Sequence, residues 1–306
     1  MSLYSTMINR FTSLAQVDES LRANHRFAGG SVSRCFELFG ESWAIEFEEV
    51  IGSLFPDPGM LSAAVRGYAN FAMQSMRLQG KFERDLKYEP KTHDQASSEV
   101  YFNEQYMMQE YLPGLLLSHF LWPHHYRQLK FFENAFVQAM RVSVATSFME
   151  VGIGTGLYSS LMLRKLPKVT GIGLDISPSS KSFAEAQIKA LSLTDRYRVV
   201  LRDVTTVPME PKASWLVCVE VLEHLDDPVA FLRGLRRNLE PGGRAFITAA
   251  LNAAHADHIY LYRNSHEVLT QIVEVGFTLE QSFVAAAYKP SSPGVPVPEV
   301  AAFIVY

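Results

Sequence analysis

The stretch MEVGIGTGLYS, residues 149–159, decides how the second half of this chain folds. An apolar run enters it, three glycines (Gly152, Gly154 and Gly156) occupy its centre, and a helix-like run leaves it. Glycines between a strand and a helix let the backbone turn sharply and come close to a ligand at the helix N-terminus. A glycine triplet alone does not say which ligand, since the dinucleotide pattern G-x-G-x-x-G occupies the same place. Here the third glycine comes one position early, position 157 is Leu, and an acid, Glu150, stands two residues before the first glycine. That spacing disfavours a dehydrogenase.

Outward from the loop the same alternation repeats. ATSFMEVGIG reads as a strand and its turn, SSLMLRKL as a helix, VTGIGLDIS as a second strand, KSFAEAQIKALSL as a helix and YRVVLRDV as a third strand. SWLVCVEV is a fourth strand, and DPVAFLRGLRRNL a helix capped by Asp226 or Asp227 with Pro228 in its first turn. PGG turns into a fifth strand, RAFITAAL. SHEVLTQIVEVG is a helix, and FTLEQSFVAAAY and EVAAFIVY close the chain as a hairpin joined by KPSSPGVPVP. This order predicts an α/β fold: a doubly wound, mostly parallel seven-stranded sheet covered on both faces, with the last two strands antiparallel at one edge.

Upstream of about Met140 the pattern is helical. Tyr4, Met7, Ile8, Phe11 and Leu14 recur at helical spacing, PGMLSAAVRGYANFAMQSMRLQGKFERDLKY continues it for several turns, and KYEPKTHDQASS reads as a polar break. We therefore expect an N-terminal all-helical cap over residues 1–128 and the sheet domain over 129–306. The cap is rich in methionines and rings, Phe71, Met76, Tyr101, Met107 and Trp122 among them. Such side chains suit a helical core that also moulds an adaptable apolar pocket. WPHHYRQLKFFENAFVQAM is expected to cover the site just before the first strand, with His124 and His125 at a partly exposed helix start.

With 306 residues, 48% hydrophobic composition and a formal net charge of −4, the chain can bury a large core without disulfides. No basic block stands out, and the cap carries more acidic than basic residues, so nucleic acid is not expected as a partner. The two cysteines, Cys35 and Cys218, fit neither a disulfide framework nor a zinc knuckle. No signal-peptide pattern appears and no apolar run is long enough for a bilayer. A cytoplasmic location without membrane insertion is the expectation.

GLDIS ends the second strand with Asp175, LRDVT ends the third with Asp203, and CVEVLEHLDD (218–227) follows the fourth. With the glycine loop, these motifs stand in the order of the class I S-adenosylmethionine-dependent methyltransferases, which the chain resembles over roughly residues 130–306. The core is similar to the ubiquinone-pathway O-methyltransferase-like group, whose Rossmann-like fold is the expected sheet. The resemblance implies S-adenosylmethionine as cofactor and a small-molecule methyl acceptor. It implies that Gly152, Gly154 and Gly156 line the cofactor, with Glu150 and Glu220 beside it. Asp175 would hold the ribose, Ile176 would pack on the adenine, and Asp203 with Val204 would read the adenine edge. Tyr126 would touch the methionine moiety. Helical additions in such relatives serve as acceptor-binding roofs or dimer interfaces, so a homodimer is a further expectation.

CVEVLEHLDD also gathers Glu220, Glu223 and His224 at a strand end, and the loop after the fifth strand, LNAAHADHIYLYRN, carries His255 and His258. Ligands of a doubly wound sheet sit beyond the carboxyl ends of its strands. These groups should therefore converge on the acceptor side of the transferable methyl. Three readings stay open. The motif is a helix start that bonds only loop backbone; or His258, His224 or His255 is a general base for an acceptor hydroxyl. In the third, Glu220, Glu223, His224 and His258 hold a divalent metal ion that lowers the hydroxyl's pKa, as the likeness to metal-dependent O-methyltransferases implies. The expected function is O-methylation of a small apolar or aromatic molecule in a biosynthetic, secondary-metabolite pathway. C- or N-methylation, metal-dependent RNA 2′-O-methylation and a cofactor-binding protein that transfers no methyl are the alternatives.

Overall fold

The computed structural model describes residues 8–206, 208–290, 292 and 294–306. Tyr4 and Met7 of the helical pattern lie outside the described residues, and the loop KPSSPGVPVP is described in part. Seven strands form one sheet: β1 Ser147–Val151, β2 Thr170–Asp175, β3 Tyr197–Leu201, β4 Ala213–Cys218, β5 Leu239–Leu251, β6 Leu279–Ala286 and β7 Glu299–Val305. Their order is β3-β2-β1-β4-β5-β7-β6. β1 to β5 are parallel, and β7 runs antiparallel between β5 and β6. The strand order reverses between β1 and β4, which opens a crevice beyond their carboxyl ends.

Helices Leu157–Lys165, Pro178–Ala190, Pro228–Asn238 and Ser265–Glu274 connect the strands. Three of them start on a side-chain cap: Ser177 accepts from the Ser180 N–H, Asp227 from Ala230 and Asn264 from Glu267. The expected PGG turn lies within β5 instead. Ala213 pairs with Leu239 but Trp215 with Arg244, so the residues between bulge out of the ladder, and Gly242 takes the left-handed φ of +76° this needs.

The N-terminal region is helical, with helices Thr12–Asn24, Ser31–Phe47, Pro58–Asp85, His93–Glu99, Leu112–Leu121 and Pro123–Phe131. His93–Glu99 falls inside the stretch read as a polar break. A capping box starts it: the Thr92 hydroxyl accepts from the Gln95 N–H, and the Gln95 side chain accepts from the Thr92 N–H. Helix Pro123–Phe131 runs through position 128 and continues through a wider helical turn, Phe132–Val137. Along it Phe131 stacks on Phe283 of β6 at 5.1 Å, while Phe132 and Phe136 pack on Phe246 of β5 at 4.8 and 5.7 Å. Cap residues such as Trp43, Phe47 and Phe120 belong to the same buried cluster as Phe246 and Ile304 of the sheet. Among the described residues no helix is long and apolar enough to cross a membrane.

Candidate active site

A cavity of about 860 Å³ lies at the strand-order reversal, walled by the glycine loop, the ends of β2 and β4, the loop after β5 and the cap. Gly152 has φ +71°, and a Cβ there would come within 2.5 Å of Val221 Cγ2, so only glycine fits between the loop and the end of β4. The Gly154 N–H donates to Asp175 Oδ2 at 3.2 Å and the Ser177 N–H to Oδ1 at 2.8 Å, which aims the Asp175 carboxylate at the loop. Burial pushes that carboxyl up to about 6, against those backbone bonds. Ile176 and Asp203 line the same wall, with Asp203 held by the Thr205 N–H and hydroxyl at 2.8 and 2.7 Å; Val204 backs them, buried. Glu150 lies beneath the loop, buried and bonded to the Ser159 hydroxyl, which in turn meets the Tyr197 hydroxyl at 2.7 Å. Burial pushes its carboxyl up to about 8. Glu150 thus braces the first turn of the helix that follows the glycines.

At the end of β4, Glu220 takes a left-handed φ of +51° and forms a ring with Thr248 of β5. Its N–H donates to Thr248 Oγ1 at 2.9 Å, and the Thr248 hydroxyl donates to its Oε1 at 2.5 Å. Burial pushes the Glu220 carboxyl up to about 7. Glu223 follows in the single turn Leu222–His224. It is fully buried, and neither carboxylate oxygen has a hydrogen bond of good geometry among the described residues, although the Glu220 carboxyl and the Ala250 backbone lie within reach. Burial, and then the Glu220 charge, hold its carboxyl well above the usual range. The Glu223 carbonyl accepts from the Ile259 and Tyr260 N–H groups, both at 2.9 Å. Those two bonds seat the loop after β5 on the end of β4, which brings the His224 and His258 rings to 4.8 Å between centroids.

Glu223, His224 and His258 place one carboxylate oxygen and two ring nitrogens within 4.8 Å of one another, and His255, Asp257 and His258 form a second such group. Glu220 stands outside both groups, engaged by Thr248. His258 Nδ1 lies 2.7 Å from the Ala253 carbonyl and His224 Nδ1 3.1 Å from the Asp257 carbonyl. A carbonyl partner puts the hydrogen on Nδ1 and leaves the lone pair on Nε2, the arrangement seen around metal-binding histidines. Burial, and then the His224 charge, hold His258 down at about 3. A proton acceptor that weak is mismatched to base catalysis near pH 7.

Asp257, which the reading of HADH passed over for its two histidines, organises this loop. It is fully buried and accepts from the Tyr101 and Tyr111 hydroxyls at 3.0 and 2.7 Å and from His255 Nδ1 at 2.7 Å. Burial alone would raise its carboxyl, but His224, His255 and His258 hold it well below the usual carboxylate range. The tyrosines come from the cap, so Asp257 joins cap to sheet at the site. Its local signal was an acid between two histidines; its partners lie 146 and 156 residues away.

Two expectations for the covering helix need correction. Tyr126 turns away from the cavity: its hydroxyl donates to Glu46 Oε2 at 2.8 Å and its ring packs on Phe39 at 4.7 Å. His124 is buried, not partly exposed, and both it and His125 line the cavity. Phe71, Met76, Tyr101, Met107 and Trp122 line it as well, whereas Met73 and Phe102 are about half exposed to solvent.

The profile of a methyltransferase domain family matches residues 149–247. Ubiquinone biosynthesis O-methyltransferases of Pseudomonas entomophila and Xanthomonas oryzae pv. oryzae are 32% and 35% identical over 111 and 102 residues. These matches cover 35% and 33% of this chain and 46% and 41% of theirs, so the chain spans about half the length of the curated relatives it matches. Among solved structures, the mitomycin 7-O-methyltransferase aligns with a TM-score of 0.52 at 16% identity, over 82% of this chain and 74% of its own. An O-methyltransferase family protein from Burkholderia thailandensis aligns with 0.51 at 14% identity, over 79% and 71%. At such identities the likeness is one of fold, and it reaches well beyond the sheet. Residues 149–247 therefore carry a methyltransferase domain, and the strand order around it supports a class I S-adenosylmethionine-dependent methyltransferase.

Proposed function

We propose that the protein methylates an oxygen atom of a small, largely apolar or aromatic molecule, with S-adenosylmethionine as donor. The observation that carries the choice of oxygen is Glu223, a buried carboxyl without a well-formed hydrogen bond, set against Glu220 and beside two histidines whose Nδ1 atoms are tied to carbonyls. A centre of this kind serves an acceptor that must lose or share a proton as it attacks. Gly152, Gly154 and Gly156 would line the cofactor, Asp175 would bond its ribose, Ile176 and Val204 would flank its adenine and Asp203 would meet the adenine amino group. Glu220 would stand beside the methionine end, and Glu150 would act from beneath.

A divalent cation fits the second centre, held by Glu223, His224 and His258, with His255 at its edge. The nitrogen-rich donor set suits zinc better than magnesium or manganese. Bound there, such an ion would lower the pKa of the acceptor hydroxyl. The chain's own residues supply the remainder: Asp257 fixes the orientation of His255 and faces His224, Thr248 fixes Glu220, and the cap keeps water from the reacting atoms. His258 as an unaided base is the second reading, favoured by its place and opposed by its depressed pKa.

The test is calorimetry followed by turnover. S-adenosylhomocysteine should bind with micromolar-scale affinity, about −8 kcal/mol, and NAD should not. Methyl transfer to a panel of phenols and catechols, read by mass spectrometry, should stop with chelator and return with added zinc or manganese. NAD heat without S-adenosylhomocysteine heat ends the reading; turnover indifferent to chelator ends its metal part.

A further inference from the structure

We propose that segment 91–101 of the cap is a strap that closes on the bound cofactor, and that Tyr101 is the positioning residue through which this closure orders the histidine loop after β5. S-adenosylmethionine would then bind first, and its binding would complete the acceptor side of the site. The inference rests on the methyltransferase reading above and adds to it an order of assembly.

The strap crosses the crevice at the strand-order reversal. At its start the Lys91 ammonium donates to the Ala256 carbonyl, in the loop after β5, at 3.2 Å. The His93 N–H lies 3.2 Å from both carboxylate oxygens of Asp226, beyond β4. At its end the Tyr101 carbonyl accepts from the Ser177 hydroxyl, just past β2, at 3.0 Å. In the sheet, β1 and its glycine loop lie between β4 and β2. The helix joining those two anchors has seven residues and is therefore about 10 Å long. That length matches the two strand spacings from β4 to β2, about 10 Å. A segment anchored on both sides of β1 roofs the place the cofactor takes, and His93 and Tyr101 both line the cavity. Its hold on the rest of the molecule is mostly polar. Of the helix only Ala96 and Ser97 are buried, followed by Val100. Segments with so few buried apolar contacts open at the low end of a protein's local stabilities.

Tyr101 belongs to both halves of the site. Its carbonyl rests on Ser177, whose N–H donates at 2.8 Å to Asp175 Oδ1, the carboxylate proposed for the ribose. Its hydroxyl donates to Asp257 Oδ2 at 3.0 Å, and Asp257 Oδ1 accepts from His255 Nδ1 at 2.7 Å. Its ring meets the His224 ring edge-on at 6.0 Å. One residue thus connects the ribose turn to two histidines of the acceptor side. A ligand shifts a conformational equilibrium only as far as it favours one of the states. The cofactor meets that condition, because the strap packs on it only when closed. Closure brings the Tyr101 hydroxyl to Asp257, which otherwise keeps one tyrosine, Tyr111 at 2.7 Å. Tyr111 stands on the turn Met107–Tyr111, which leads into helix Leu112–Leu121 and is no part of the strap. The two hydroxyls share one oxygen and differ in what moves them, which separates positioning from support.

The test is hydrogen–deuterium exchange on the full chain, with and without S-adenosylhomocysteine. The Ile259 and Tyr260 N–H groups, bonded to the Glu223 carbonyl, report how firmly the histidine loop is seated. Saturation with S-adenosylhomocysteine should slow exchange over residues 93–101, and over 254–260 by about tenfold, inside the usual range of coupling between sites. Tyr101→Phe should still bind S-adenosylhomocysteine and keep the slowing over 93–101, but lose it over 254–260. Tyr111→Phe should loosen the loop in the free protein yet keep the slowing on binding. Asp226→Ala, which frees the strap at its other end, should weaken the slowing over both segments, and it carries the test if Tyr101→Phe does not fold. A histidine loop indifferent to S-adenosylhomocysteine overturns the proposal, as does a slowing that survives in Tyr101→Phe or in Asp226→Ala, which would route the effect through Glu220. Loss of the slowing in Tyr111→Phe as well would make Tyr101 a support only, and overturns it too. Calorimetry with S-adenosylhomocysteine comes first, so a failure of the methyltransferase reading shows as absence of binding before any exchange is measured.

Discussion

Glu223 is buried against the Glu220 carboxyl, so it keeps its proton well above the ordinary carboxylate range, and Glu220 and Glu150 follow it at about 7 and 8. A folded state that holds protons the unfolded chain has released is favoured below the unfolded pKa, near 4.5, and loses that advantage as pH rises through the folded values. The buried histidines act the other way. With His258 at about 3, against an ordinary 6.5, their contribution is complete above about 6.5 and is lost as pH falls. The two effects oppose each other between 4.5 and 6.5; above that window the carboxyls act alone. We predict that the melting temperature of chelator-treated protein falls from pH 6.5 to 8.5, and that Glu223→Gln and Glu150→Gln each flatten the slope. A wild-type profile that stays level over that range contradicts the burial of these acids. A metal ligand must shed its proton, so added zinc or manganese should raise the melting temperature more at pH 8 than at pH 6, and Glu223→Gln should remove the rise. On the cofactor side, Asp175→Ala should weaken S-adenosylhomocysteine binding by about 1.5–3 kcal/mol, the range for hydrogen bonds to a charged group; unchanged calorimetric affinity would place the ribose elsewhere.

The loop after β5 depends on Asp257 as a keystone between elements. Asp257→Ala would strand the Tyr101 and Tyr111 hydroxyls and the His255 ring in a dry setting, and loss of one member of a buried charged network costs about 3–5 kcal/mol. Denaturant unfolding should show a loss of that order, with faster proteolysis between Asn252 and Tyr260; a loss under about 1 kcal/mol, the worth of an ordinary hydrogen bond, would mean that water replaces the carboxylate. The contrast with the glycine loop shows what the sequence made legible. Strand periodicity, the glycine spacing and the caps at Ser177, Asp227 and Asn264 are local, and each was readable within a few residues. The helix His93–Glu99 carried a local signal too, T-x-x-Q at its start, hidden by its polar composition. The Pro241–Gly243 bulge was not legible, because it arises from the pairing of β5 with β4. Nor was the facing of Tyr126, which is settled by Phe39 and Glu46 on a helix some eighty residues upstream. The acid–histidine centre was half visible: the motif brought Glu220, Glu223 and His224 together, but the pairing of Ile259 and Tyr260 with the Glu223 carbonyl is what sets His258 beside them.

Cap and sheet were expected as two units, 1–128 and 129–306, and the way they share a core has a thermodynamic consequence for the whole molecule. Phe131, Phe132 and Phe136 lie on Phe283 and Phe246, and the buried cluster runs unbroken from Trp43 in the cap to Ile304 in the sheet. Each large apolar side chain in such a seam contributes about 1.5–3 kcal/mol by its burial, so a few of them match the entire net stability of a typical domain, about 5–15 kcal/mol. Neither part then has reason to survive the loss of the other. The full chain should unfold in one calorimetric transition whose van't Hoff and calorimetric enthalpies agree. S-adenosylhomocysteine, although its proposed contacts lie mostly on the sheet side, should shift that transition as a unit, by about 2.7 kcal/mol at a hundredfold excess over its dissociation constant. Residues 142–306 expressed alone would expose the face that Phe131, Phe132 and Phe136 cover. They should then bind a hydrophobic dye and lack near-ultraviolet circular dichroism, the behaviour of a chain that keeps its secondary structure without its packing. Two resolved transitions, with only the later one moved by S-adenosylhomocysteine, would instead make the cap an independent unit and the seam a contact between finished domains.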